Sequence, residues 1–438
     1  MPVNTFAAIA SILCLAFLSA SKGQETPLKY YNIKAGPVYV TLSAGMSTVF
    51  IDNVNTSNGT TTPIESDIIV NPHFNINSLS QFAFFSPNQI NTLSLNMNVG
   101  YQKYLMHSEL NHNPLSINIS PDSELTLLIR TGHFKIRITD GFALQQDPVA
   151  DGSLSNVAQF RHFTNTFGIA TEWDVNSKTV INVGYSHTNL AALSLLSLSG
   201  SSSTLNINSL SNSSDQVNAS ISAKVFSLLS LGFAGSAGTT TYPSAPWQNS
   251  NTYSCGPTLD ARFTEYTTLS AACGVNRNMR SGQTSGTNSL NNNLSDSTSD
   301  YFNVSIKNNT NTYYTQTFSF GIQSHLGLLG NQTQTTYVRY TSAWRMNSRI
   351  TIASTCYVES TNDLSSQNSL STLGTQSTLS SPSSSSHYRV EGLQIGTQYE
   401  LSKKLNTGLS YRFTNKTADN SAQNYKQNCI TWEVSYRF

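Results

Sequence analysis

The 438-residue sequence predicts an all-β fold, a single transmembrane antiparallel β-barrel of about 16 to 18 strands with long polar external loops. Three observations predict it: a composition poor in charge and rich in hydroxyl, amide and aromatic residues, a period-2 alternation over most of the chain, and the nature of the two ends. Only 11% of residues are charged, against about 25% in an ordinary soluble domain. Ser, Thr, Asn and Gln fill the polar positions, and 20 Tyr and 20 Phe supply aromatics that suit pleated strands. The net charge of +1 comes without a Lys/Arg cluster, which excludes the electrostatic footprint of a nucleic-acid binder.

The N-terminus carries an apolar run from Phe6 to Leu18 followed by small residues from Ser19 to Gly23, the pattern of a secretory signal with cleavage after Ala20 or Gly23. The segment before it, Met1 to Thr5, lacks the usual Lys or Arg. The expected organisation is a signal peptide over 1–23, a short periplasmic segment over 24–37 and the barrel over 38–438. Cys14 leaves with the signal. No other run reaches the 18 or so apolar residues of a membrane helix, so a membrane span must be made of strands.

From about Val38 onward, alternating segments are separated by turn-like stretches. In Lys404 to Phe413, Leu405, Thr407, Leu409, Tyr411 and Phe413 share one face, and Asn406, Gly408, Ser410 and Arg412 the other. Asn91 to Tyr104, Tyr314 to Ser324 and His133 to Thr139 repeat the pattern. The connections fall into short turns (Asp174 to Lys178, Phe263 to Glu265, Arg345 to Ser348, Ser402 to Lys404) and long loops (Asn53 to Ser66, Leu198 to Ser214, Ser281 to Thr298, Thr361 to Ser386). Their alternation is that of a barrel with short periplasmic turns and long external loops, and the low-complexity loops are expected to be mobile. The segment Ser80 to Asn91 is long for a turn, which leaves room for an extra short strand.

The last strand places Ile430, Trp432, Val434, Tyr436 and Phe438 on one face up to the carboxylate. This C-terminal pattern resembles the assembly signal read by the outer-membrane insertion machinery, and the closing strand must pair with the first so that no edge faces lipid. Lipid and that machinery are the partners expected of a chain addressed to the bacterial outer membrane.

The segment Val38 to Asn53 (VYVTLSAGMSTVFIDN), Val99-Gly100-Tyr101, Gln146-Asp147-Pro148, Phe163 to Asp174 (FTNTFGIATEWD) and Val183 to His187 together resemble the β-barrel porin type 2 family of outer-membrane proteins. The resemblance covers nearly the whole chain after the signal. It implies a porin-like channel or export component for small solutes or polysaccharide, with exopolysaccharide genes beside some members, and no catalytic residue. A structural or adhesive surface protein, anchored by the barrel and working through its Ser/Thr-rich loops, is the alternative.

The eight His residues are scattered, and neither a nucleophile elbow nor a His-Glu-x-x-His or phosphate-loop motif occurs. The sequence therefore predicts no enzyme, no catalytic or metal residues and no cofactor. His107, Glu109 and His112 cluster at a spacing that matches no standard ligand set, and a solvated loop is the better reading. By alternation, Lys135, Arg137, Glu172, Asp260, Arg262, Arg339, Glu400, Arg412, Glu433 and Arg437 point into the lumen, among Ser, Thr, Asn, Gln and Gly. Such a lining suits neutral or hydroxyl-rich solutes and weak ion selectivity. Cys255 and Cys273 are equidistant from Thr264, so a hairpin centred there would set them opposite each other. A cross-strand disulfide and a pair of small lipid-facing residues are both open, the second favoured because the bridge needs one register.

Overall fold

Five of the short connections are turned by a side chain that takes the place of a missing ladder. Asn176, Thr264, Asn311, Asn347 and Ser402 each accept hydrogen bonds from the backbone N–H groups two and three residues further on, at 2.7–3.2 Å. These are Asx and hydroxyl turns, which fix the reversal with local chemistry alone. The two-residue Gly132-His133 turn instead uses glycine at φ +52° in its first central position.

In the computed structural model the described residues are 31–60, 63–83, 89–111, 116–146, 159–196, 207–280, 296–327, 332–363 and 387–438. The strands are β1 (Ile33–Ala35), β2 (Val38–Ile51), β3 (Asp67–Ala83), β4 (Ile90–Tyr101), β5 (Lys103–Tyr104), β6 (Ile117–Ile119), β7 (Glu124–Thr131), β8 (Phe134–Gln145), β9 (Gln159–Asp174), β10 (Thr179–Leu196), β11 (Asn212–Phe226), β12 (Leu229–Thr241), β13 (Ser250–Arg262), β14 (Thr267–Arg280), β15 (Ser297–Asn311), β16 (Tyr314–Leu326), β17 (Gln332–Arg345), β18 (Ile350–Asp363), β19 (His387–Glu400), β20 (Leu405–Ala418) and β21 (Tyr425–Arg437). β4 with β5, and β6 with β7, are interrupted halves of single wall strands, and β1 stands apart from the wall count. The result is a closed antiparallel barrel of 18 strands.

Closure is made by β2 and β21, in register from Ser43↔Arg437 to Ile51↔Cys429. Beyond the end of β21, β1 takes over the same edge of β2, pairing Ile33↔Val40 to Ala35↔Val38. Asn32 Nδ2 donates to the Leu42 carbonyl and Phe438 N donates to the same oxygen, so the residues before β1 and the C-terminal residue meet on β2. No edge of the seam is left to seek another strand.

The alternation sorts the wall into two chemistries. Met46, Phe50, Val183, Phe233, Leu409 and Trp432 lie on the outer face with 41–57% exposure, a surface whose apolar atoms belong in hydrocarbon rather than in water. At the short-turn end Phe134, Trp173, Phe226, Tyr266, Tyr313 and Trp344 are exposed aromatics, and Phe134 stacks on Trp173 at 5.6 Å. Such a girdle marks the interface of a bilayer.

Three expectations change. β3 and β4 pair as far as Ala83↔Ile90, so the described residues of Ser80 to Asn91 extend those two strands and add none of their own; residues 84–88 lie outside the described residues. The first long loop is not loose: Asn53, Val54, Asn55, Thr56 and Ser57 are all buried. The β13–β14 hairpin is centred one residue beyond Thr264, which sets Cys255 opposite Val275 instead of Cys273; both thiols are free. Of the two readings left open for Cys255 and Cys273, the register and the free thiols agree with the favoured one, small outward-facing residues, and only the expected face-to-face placement is corrected. The signal segment 1–23, and residues 364–386 of the loop on which the adhesive reading depends, lie outside the described residues.

Candidate functional site: a polar cavity in the barrel lumen

Inward-facing positions of β2 to β6, of β8 and of β19 to β21 surround a cavity of about 450 Å³. One side presents Asn71, His73, Asn98, Gln102 and Asn118, and the other Gln394, Ser410, Arg412, Gln427 and Glu433. Val49, Ile51, Val54, Ile69 and Tyr104 form an apolar end. His73 Nε2 lies 3.5 Å from Glu433 Oε1, across the seam strand β2 at Gly45. Glycine is needed there, because a Cβ at Gly45 would sit 2.5 Å from His73 Nε2.

Two irregularities shape this space. Between β6 and β7 the strand makes a turn at Ser120-Pro121-Asp122-Ser123, closed by Ser123 N to Ser120 O at 3.0 Å. The ladder to β4 shifts by two residues across it, from Val99↔Ile119 to Asn96↔Glu124. Proline cannot donate to a ladder, so the extra residues bulge, and Ser120 and Pro121 line the cavity. At the other end residues 53–57 form a roof. Asn53 Nδ2 donates to Ser57 O and Lys426 O at 2.8 Å each, and Gln427 Nε2 donates to Asn53 O at 2.7 Å. Val54 then packs with Ile69, Tyr104 and Leu110, while Thr56 accepts φ +50°.

The roof abuts a second loop held by one carboxylate. Asp67, fully buried, accepts from the backbone N–H groups of Ile68, Leu105, Met106 and His107 at 2.6–3.2 Å. His107 Nδ1 lies 3.0 Å from Asp67 and its Nε2 lies 3.4 Å from Glu65. His107 therefore ties two loops together, Glu109 starts the short 3-10 turn Ser108–Leu110, and His112 falls outside the described residues.

Of the charged residues read as lumen-facing, Arg412 and Glu433 line the cavity. Lys135 forms an ion pair with Glu172 and lies 3.7 Å from Asp174. Arg339 Nη2 bonds Glu359 Oε1 at 2.7 Å, and its guanidinium sits 5.7 Å from the Tyr357 ring. Asp260 accepts from Ser270 Oγ at 2.7 Å. Arg137 is in register with Ala170, Arg262 with Thr268, Glu400 with Asn406 and Arg437 with Ser43, at or near strand ends in the last three cases. On β21, Ile430, Trp432, Val434 and Tyr436 are in register with Phe50, Thr48, Met46 and Ala44, and Phe438 packs 5.7 Å from Tyr436 and 6.5 Å from Phe74.

Sequence reasoning missed Glu359, Asp67, the roof and an inner row of tyrosines. Tyr301, Tyr337 and Tyr357 are the register partners of Gly274, Gly321 and Gly392. Tyr337 passes over Gly321 to reach Asn303 two strands away, and the Tyr357 ring lies on Gly392. The turn Ser120 to Ser123 did carry a signal, Ser-Pro-Asp-Ser within an otherwise strand-like segment.

No family model and no curated protein matches the sequence. Among solved structures the chain is similar to the outer membrane protein OpdK of Pseudomonas aeruginosa, at 10% identity over 91% of this chain and 99% of that one, with a TM-score of 0.46. It is also similar to OccK2 (OpdF) of the same organism, solved with glucuronate, at 10% identity over 92% and 98% and a TM-score of 0.48. OpdQ, again from Pseudomonas aeruginosa, gives 9% identity over 92% and 97% and a TM-score of 0.47.

Proposed function

We propose that this protein is a non-enzymatic channel of the bacterial outer membrane that passes small polar solutes through its lumen. The observation that carries the reading is the sorting of the closed wall into an apolar exterior and a hydrogen-bonding interior that encloses a cavity. A barrel of 18 strands is wide enough to leave an aqueous path unless loops fill it. Small solutes are preferred to an exported polymer because the roof at 53–57 and the bulge at Ser120 to Ser123 confine this sector to the size of one small molecule. Export through a signal over 1–23, and insertion by the assembly machinery through the β21 pattern, belong to the same reading, as does a role for the inward charges in conduction.

The test is planar-bilayer recording on purified protein. Stepwise current increments on insertion support the channel; tight insertion with no current would move the reading to a barrel that serves only as an anchor. The mass of the mature N-terminus checks cleavage after Ala20 or Gly23.

A further inference from the structure

We propose that the lumen cavity is a binding subsite for a neutral saccharide or polyol of mono- to disaccharide size. The inference rests on the channel reading and names its solute class. Hydroxyl groups both donate and accept, and so do carboxamides. Asn71, Asn98, Gln102, Asn118, Gln394 and Gln427 are brought to this one cavity from β3, β4, β6, β19, β21 and the junction of β4 with β5.

Three of these carboxamides are short of a partner. Asn71 Oδ1, Asn118 Oδ1 and Gln427 Oε1 are buried and receive no hydrogen bond from the protein. Leaving such atoms unmet is costly, so a solute that donates several hydrogen bonds has something to gain by drawing these side chains round to it. Asn71 and Asn118 converge on one spot: the Asn71 carboxamide overlies Gly100, and Asn118 is the register partner of Gly100. Any side chain at Gly100 would displace Asn71.

Charge and shape point the same way. Glu433 lies against His73, and Arg412 lines the same space, so positive and negative groups are both present and neither sign of ion is singled out. The apolar end formed by Ile51, Val54, Ile69 and Tyr104 is suited to the C–H face of a sugar ring. The cavity of about 450 Å³ has room for one or two rings.

The experiment is equilibrium dialysis of radiolabelled sucrose against the purified barrel in an amine-oxide detergent that carries no sugar, with a size-matched polyethylene glycol as control. Saturable binding at about one sucrose per chain, in about the millimolar range, is expected, with no saturable binding of the glycol. Asn118→Leu and Gln394→Leu should each weaken it at least fivefold while keeping the heat-dependent gel shift of a folded barrel. Sucrose that does not saturate, or that binds folded variants as it binds the parent, overturns the subsite. Because dialysis needs no current, its failure is distinct from failure of the channel, which bilayer recording reads separately.

Discussion

At Gly392 the absence of one carbon decides how the inner wall packs. A Cβ there would fall within the ring of Tyr357, which also holds the Arg339 guanidinium at 5.7 Å beside Glu359. Gly392→Ala should therefore push Tyr357 off its seat and cost about 1–3 kcal/mol by overpacking. The readout is the midpoint temperature of the folded-to-unfolded gel shift. Adding Tyr357→Ala removes the clashing ring, so the double variant should lose less than the two single losses combined, as residues in contact do. Additive losses would mean that the ring and the glycine do not touch. Gly256 is a harsher case, because its Cβ would overlap the backbone carbonyl of Cys273, which has no flexible end to move. Gly36 has open space around it and a φ of +60°. Gly256→Ala should prevent recovery of folded barrel, whereas Gly36→Ala should leave yield intact and cost only about 1 kcal/mol of backbone strain. Equal yields from the two variants would contradict the close approach of β13 and β14. Neither partnership was legible in the sequence, since each needs the exact register between paired strands.

Strands and short turns were legible because their causes are local. Alternation in Asn91 to Tyr104 and in Lys404 to Phe413 needs only the side-chain period, and the reversals at Asn176, Asn347 and Ser402 need only an oxygen two or three residues from the amides it accepts. The Cys255–Cys273 pairing failed by a single step of centre, from Thr264 to one residue beyond, and that step is decided by Thr264 accepting from Tyr266 N and Thr267 N. The long loops were the least legible element. Asn53 to Ser57 has the polar composition of a mobile loop, yet it is fixed by Gln427 and Lys426, over 370 residues away in sequence. The loop that follows β5 has a comparable anchor in Asp67. Asp67→Asn replaces a charged acceptor of four amides by a weaker one and turns an NH₂ toward donors, at about 1–3 kcal/mol confined to the mouth. Limited proteolysis should then cut between 105 and 116 faster than in the parent while the wall stays resistant. A cleavage rate like the parent's would show that Asp67 does not hold that loop. At the seam, removal of Phe438 takes away the bond to Leu42 O and the ring packed between Tyr436 and Phe74. The shortened chain should yield several times less folded, heat-modifiable protein in the outer-membrane fraction.

For the molecule as a whole, the wall is closed and several of its inward charges lie against groups of opposite sign one or two strands away. Lys135 faces Glu172 and Asp174, Arg339 faces Glu359, and Glu433 faces His73. Paired charges leave little fixed field for a passing ion to feel, so the channel should conduct with a reversal potential near zero in a salt gradient, far from the value for a perfectly selective pore. Arg412 lines the cavity in the same sector as Glu433 and Gln394. Arg412→Gln keeps a hydrogen-bonding side chain and removes one positive charge, which should move the reversal potential toward cation preference. The shift should shrink as salt rises, because a Debye length of about 10 Å at 0.1 M falls to about 3 Å at 1 M. An unchanged reversal potential at low salt, in channels that still conduct, would place the ion path away from this cavity. The inner wall of β15 to β18, where Tyr301, Tyr337 and Tyr357 lie, would then become the surface that solutes follow.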